Sequence, residues 1–133
     1  MLTYLYLYTI TFVLFLVIDL VWLNFIAKKF YQKEIGNLLL KKPHLIPAVL
    51  FYLLFVFALV VLILIPGIKE GAFGKTLLMA ALFGLTTYAT YDLTNLATLK
   101  GWNLKITIID LIWGTSISTL TTLLGYLIGN KIV

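Results

Sequence analysis

An all-α bundle of four transmembrane helices is the fold this sequence predicts, on three observations. The first is composition: of 133 residues, 62% are hydrophobic and 11% charged, and the mean hydropathy is +1.09. Soluble domains hold roughly 45–50% apolar and about 25% charged residues, so the surplus is too large for one water-covered core. The second is division into four apolar stretches, each near the roughly 20 residues that cross a bilayer. The third is that the lysines stand in short loops between those stretches.

The spacing predicts spans over about Leu2–Ala27, His44–Ile65, Phe73–Thr98 and Leu104–Gly129, in one domain covering residues 1–133. The first stretch lacks a positively charged start, is too long, carries Asp19 and shows no clear small-residue cleavage site. It is therefore expected to be a retained helix rather than a signal peptide. Pro43 and Pro47 mark the start of the second span, and Pro66-Gly67 its stop. The linkers "KKFYQKEIGNLLLKK", "PGIKEG" and "LKGWN" are short, and there is no low-complexity tract.

The formal charge of +5 rests on lysine alone. Lys28, Lys29, Lys33, Lys41, Lys42, Lys100 and Lys105 lie in the first and third loops, against Lys69, Lys75 and Lys131 on the opposite side. This bias predicts cytoplasmic first and third loops and both termini outside. Lysines so placed read as topology signals beside an anionic leaflet, not as a nucleic-acid surface. The lipid bilayer is the expected partner. Tyr4, Tyr6 and Tyr8 at one end and Trp102 at the other suit interfacial belts. His44, beside Pro43, reads as a solvated or headgroup-contacting imidazole, and "GNLLLKK" as an interfacial turn. The absence of cysteine excludes disulfides, iron–sulfur clusters and cysteine nucleophiles.

Three acids interrupt the apolar runs: Asp19 in "LVIDLVWLNF", Asp92 in "TYDLTNLAT" and Asp110 in "TIIDLIWGTS". They stand nine residues before Lys28, eight before Lys100 and five after Lys105. At 1.5 Å per residue that is roughly 8–14 Å from the cytoplasmic lysines, on three different helices. An exposed aspartate at the bilayer centre costs roughly 2.5–3.5 kcal/mol, so all three are expected to face the bundle interior. No Arg, Lys or His lies at their depth. Converging carboxylates without a countercharge cannot all stay ionised, and the expectation is a held proton or a shared cation.

Helical periodicity groups their neighbours. On the fourth span Thr107, Asp110, Gly114, Ser118, Thr121 and Gly125 share a face, a small-and-polar stripe that permits close helix approach, within the chain or in a dimer seam. On the third, Gly84, Tyr88, Tyr91, Asp92 and Asn95 share a hydrogen-bonding face. On the first, Tyr8, Phe12, Phe15, Asp19, Trp22 and Ile26 form an aromatic stripe ending in the acid. The second span is nearly all Leu, Val, Phe and Ile, with Tyr52 its one polar tip, and reads as a lipid-facing wall. Trp22 and Trp113 read as core indoles that could also stack on a ligand.

"DLVWLNFIAKKFY" (Asp19–Tyr31), "YATYDLTNLATLKGW" (Tyr88–Trp102) and "DLIWGT" (Asp110–Thr115) resemble a bacterial family of four-span membrane proteins known only as a domain of unknown function. The resemblance covers nearly the whole chain, and its most specific part is the Tyr-Asp-x-Thr-Asn-x-Ala-Thr run. Asn103 stands where that family is expected to have proline after Trp102, a departure in a loop. The resemblance implies four helices in a bacterial inner membrane, and no activity.

Function is therefore read from the candidate cavity of Asp19, Trp22, Tyr88, Tyr91, Asp92, Asn95, Thr107, Asp110, Trp113 and Ser118. Asp19, Asp92 and Asp110 are candidate oxygen ligands for a hard cation, although no ligand spacing marks a metal site and no cofactor is called for. The expected role is binding of a small solute, lipid or cation, with proton-coupled transport as its extension. Four short spans are few for alternating access, so transport would imply a homodimer or a membrane partner. A P-loop, G-x-S-x-G, H-E-x-x-H and paired acids on one helix are all missing. The alternatives are an aspartate-based membrane enzyme acting on a lipid or polyprenyl substrate, and a structural or assembly subunit whose acids are hydrogen-bonded glue.

Overall fold

A computed structural model covering residues 1–133 builds the chain from helices alone. They are α1 (Leu2–Trp22), α2 (Lys28–Ile35), α3 (Leu45–Leu59), α4 (Ile65–Glu70), α5 (Phe73–Thr98) and α6 (Leu104–Ile132). π-helical turns at Leu23–Ala27 and Val60–Leu64 join α1 to α2 and α3 to α4, so the chain runs as four rods. Three helical stretches, Leu2–Leu38, Leu45–Glu70 and Leu104–Ile132, are long and apolar enough to cross a membrane. The fourth rod, α5, has 26 residues, about 39 Å at 1.5 Å each, against a hydrocarbon core of about 30 Å. Its threonines, tyrosines, Asp92 and Asn95 dilute its apolarity. Only 28 of 133 residues are buried in the protein, and Leu54, Leu62 and Leu78 are among many large apolar side chains left exposed. That inverts the water-soluble pattern, and the protein is an all-α membrane bundle.

Along the first rod Leu7, Thr11, Phe15, Asp19, Ala27 and Ile35 are buried, spaced by four or eight. In an α-helix a step of four overshoots one turn by about 40°, so such a series would wind off its face. The π turn, with i→i+5 bonds and less rotation per residue, returns it. The expected aromatic stripe is shifted accordingly. Phe15 and Asp19 are buried, Tyr8, Phe12 and Trp22 are half-buried, and Ile26 is exposed. Thr11, outside that stripe, is fully buried and donates to the Leu7 carbonyl at 2.7 Å.

The second rod is not simply a lipid-facing wall. Phe55, Val56, Leu59, Val60, Ile63, Leu64 and Ile68 belong to the main core cluster, while Leu50, Leu54 and Leu62 face outward. A helix apolar all round carries no amphipathic signal to say which side packs, and only the neighbours choose it. This rod touches α6 chiefly through Val60–Leu64 and α4. At the lysine-rich end α3 and α6 stand apart, and a cavity opens between them.

The most extensive pairing joins α5 to α6. Gly84 lies against the Gly114 carbonyl and the Ser118 side chain, and Gly114 lies under the Tyr88 ring. The Gly114–Ser118 stripe is thus an intramolecular crossing, where small residues let backbones approach for dispersion contacts. Asn103 caps α6, its Oδ1 accepting from the Ile106 N–H at 2.9 Å, so the residue in place of the expected proline secures the start of the helix. Its Nδ2 also donates to Glu34 at 3.0 Å, and Glu34 pairs with Lys105 at 3.3 Å, linking α2 to the start of α6.

Candidate functional site

Asp19, on α1, is 6% exposed. Its Oδ1 accepts from Trp113 Nε1 on α6 at 3.0 Å, and its Oδ2 accepts from the Tyr52 hydroxyl on α3. Three rods therefore meet at one carboxylate. One turn further along α1, Trp22 stacks on Trp113 with ring centroids 4.3 Å apart and planes 8° from parallel. Beyond the π turn, α2 brings Tyr31 to Asp110, donating to Oδ1 at 2.6 Å. The step of four that carries burial down the rod runs from Asp19 through Leu23 and Ala27 to Tyr31, which is why a residue of the first linker reaches the site.

These groups border an open-sided cavity of about 190 Å³, lined by Asp19, Trp22, Leu23, Tyr31, Ala48, Phe51, Tyr52, Tyr88, Asp110 and Trp113. Two carboxylates border it, and no lysine or histidine does. An adjoining hollow of about 330 Å³, lined by Phe51, Thr87, Tyr88, Tyr91 and Asp110, shares its Asp110 wall. A larger hollow, about 650 Å³, lies at the other end between α1 and the second rod. Its walls are apolar or aromatic, and its Tyr8 hydroxyl already donates to the Leu53 carbonyl.

Asp92, on α5, is fully buried, and neither of its oxygens meets a donor. The carboxyl of Asp110 lies within hydrogen-bonding reach of it. Two ionised carboxylates are both acceptors, so that contact becomes a bond only when a proton or a cation stands between them. No group of three acids gathers into a set that could hold a metal ion. Asp92 and Asp110 pair, and Asp19 faces the cavity with its own two donors.

Of the ten residues the sequence singled out, the cavity gathers Asp19, Trp22, Tyr88, Asp110 and Trp113. Tyr91 lines the adjoining hollow, with its ring edge-on to Trp102, and Asn95 neighbours Tyr91 rather than the cavity. Thr107 is buried and committed elsewhere: its hydroxyl donates to the Asn103 carbonyl at 3.0 Å and accepts from Trp102 Nε1 at 3.1 Å. Ser118 is buried at the α5–α6 crossing with its hydroxyl unpartnered. Sequence reasoning missed Tyr31 and Phe51, and it noted Tyr52 only as a polar tip on a lipid wall. The one signal for Tyr31 is its spacing of three fours from Asp19.

No curated protein and no solved structure matches the chain. A family model does, over residues 4–127, and that covers every residue that lines the cavity. The chain therefore belongs to the family described as "Predicted membrane protein (DUF2177)".

Proposed function

We propose that the chain binds a small solute, lipid headgroup or cation in its intramembrane cavity, coupled to a proton or cation held between Asp92 and Asp110. The observation that carries this reading is the fully buried Asp92 carboxyl, which meets no donor and no countercharge and lies beside the half-buried Asp110. Intramembrane acids that face a bundle interior mark ion and proton pathways by default, and this pair adjoins a cavity through Asp110. The setting we propose is a bacterial inner membrane, crossed four times within one domain, with lysine-rich loops in the cytoplasm and termini outside. Transport by so few spans would take a homodimer or a membrane partner.

A second reading, structural glue, draws on Asp19, whose two oxygens are both satisfied by donors from other rods. Infrared spectroscopy of the reconstituted protein separates the two. The proton reading expects a protonated-carboxyl stretch at pH 7 that Asp92→Asn and Asp110→Asn each abolish in a folded protein. A fully ionised spectrum with no bound cation would leave the glue reading standing alone.

A further inference from the structure

We infer that the cavity between α1, α3 and α6 takes an organic ammonium group. This deepens the solute-binding reading above and rests on it. Asp19 and Asp110 border the cavity, and no cationic side chain does. The donors nearest those acids are already spent. Tyr52 and Trp113 donate to Asp19, and Tyr31 donates to Asp110. What remains facing inward is two carboxylates, the Tyr88 hydroxyl and aromatic surface, and the buried N–H of Trp22 is also unpartnered. An anion would meet like charge there.

A hard metal ion asks for six or more oxygen ligands, and this wall is mostly carbon, with no cluster of three acids. An ammonium centre with carbon substituents needs a counter-carboxylate and aromatic faces, the arrangement that recognises such cations elsewhere. Tyr88, Phe51 and the stacked indoles of Trp22 and Trp113 supply the aromatic wall, the stack leaving one indole face at most for the cation. At about 190 Å³ the cavity is smaller than the roughly 300–1,000 Å³ of sites that enclose drug-sized ligands, so it holds a head and not a whole amphiphile. Its edge at Ala48 and Phe51, both exposed on α3, lets a tail leave toward lipid. The ammonium can therefore come from a lipid headgroup or from a free amine.

The test titrates tetramethylammonium chloride into the intact protein, reconstituted in nanodiscs of phosphatidylglycerol alone, and follows tryptophan fluorescence with sodium chloride as the control. Saturable quenching is expected, weakened about tenfold or more by Asp19→Asn and by Trp22→Leu and unaltered by Tyr6→Phe at the far end. Absence of saturable quenching overturns the inference, as does quenching that both cavity variants leave unchanged. Because Trp22→Leu removes a reporter and can disturb the stack, Tyr88→Leu provides a second weakened variant with both indoles in place. Native mass spectrometry after mixing with phosphatidylethanolamine distinguishes the sources. Retained lipid that tetramethylammonium displaces identifies a headgroup, and no retained lipid beside saturable quenching identifies a free amine; either supports the shared chemistry. Lost quenching with an intact protonated-carboxyl band overturns this inference alone, whereas retained quenching without that band overturns the proton reading alone.

Discussion

Trp113 and Tyr52 act on the same carboxylate from different helices, so each reports on the other through Asp19. A hydrogen bond to a charged acceptor contributes roughly 1.5–3 kcal/mol, and leaving a buried acceptor unpaired costs its full desolvation. Trp113→Phe keeps most of the stack on Trp22 but removes the indole donor. It is expected to lower stability by about 1.5–3 kcal/mol in thermal unfolding from detergent micelles. In an Asp19→Asn background that loss is expected to shrink by at least half, because the charge that made the bond strong is gone; full additivity of the two changes would show no coupling. At this scale the sequence marked the acid and the indole. It did not mark Tyr52 as the second donor, because a tyrosine amid uniform Leu, Val and Phe has no periodic partner to fix its direction.

The elements are held by close approach rather than by water. Between helices in lipid there is no hydrophobic drive, so dispersion contacts at small residues decide stability. A Cβ on Gly84 would collide with the backbone carbonyl of Gly114, whereas one on Gly125 would meet a Leu64 methyl at 3.0 Å and the Thr11 hydroxyl at 3.3 Å. Side chains shift and backbone does not. Gly84→Ala is therefore expected to cost about 3 kcal/mol or more, and Gly125→Ala about 1 kcal/mol, read as midpoints of unfolding in sodium dodecyl sulfate. The reverse order would contradict the crossing described. The link from Glu34 to Lys105 is exposed at the lysine, 62% against 16% for the glutamate. Lys105→Met is expected to change stability by less than about 1 kcal/mol.

For the whole molecule, orientation follows from charge and not from packing, since the bundle packs identically either way up. Lysines number seven at one end and three at the other, which predicts that the richer end stays in the cytoplasm. Single cysteines at Gly36 and at Asn130 are expected to react with an impermeant maleimide from opposite faces of intact cells. Labelling of both from one face would refute the orientation. The absence of native cysteine leaves no background to subtract.

Composition and periodicity alone determined the membrane class, the helical fold and the small-and-polar face of α6. Thr107, Gly114, Ser118, Thr121 and Gly125 all lie buried on it. The bilayer makes these properties local: a span must satisfy its own backbone and present apolar side chains to lipid, whatever surrounds it. The tertiary structure decided which face of the all-apolar second rod packs, which acids meet and which stand apart. It also brought Tyr31 into the cavity from the first linker. Depth along a helix can be counted in residues, but azimuth depends on crossing geometry and on a π turn that no residue type announces. Three acids at similar depth therefore resolved into a pair, Asp92 with Asp110, and a third, Asp19, held across the cavity by Tyr52 and Trp113.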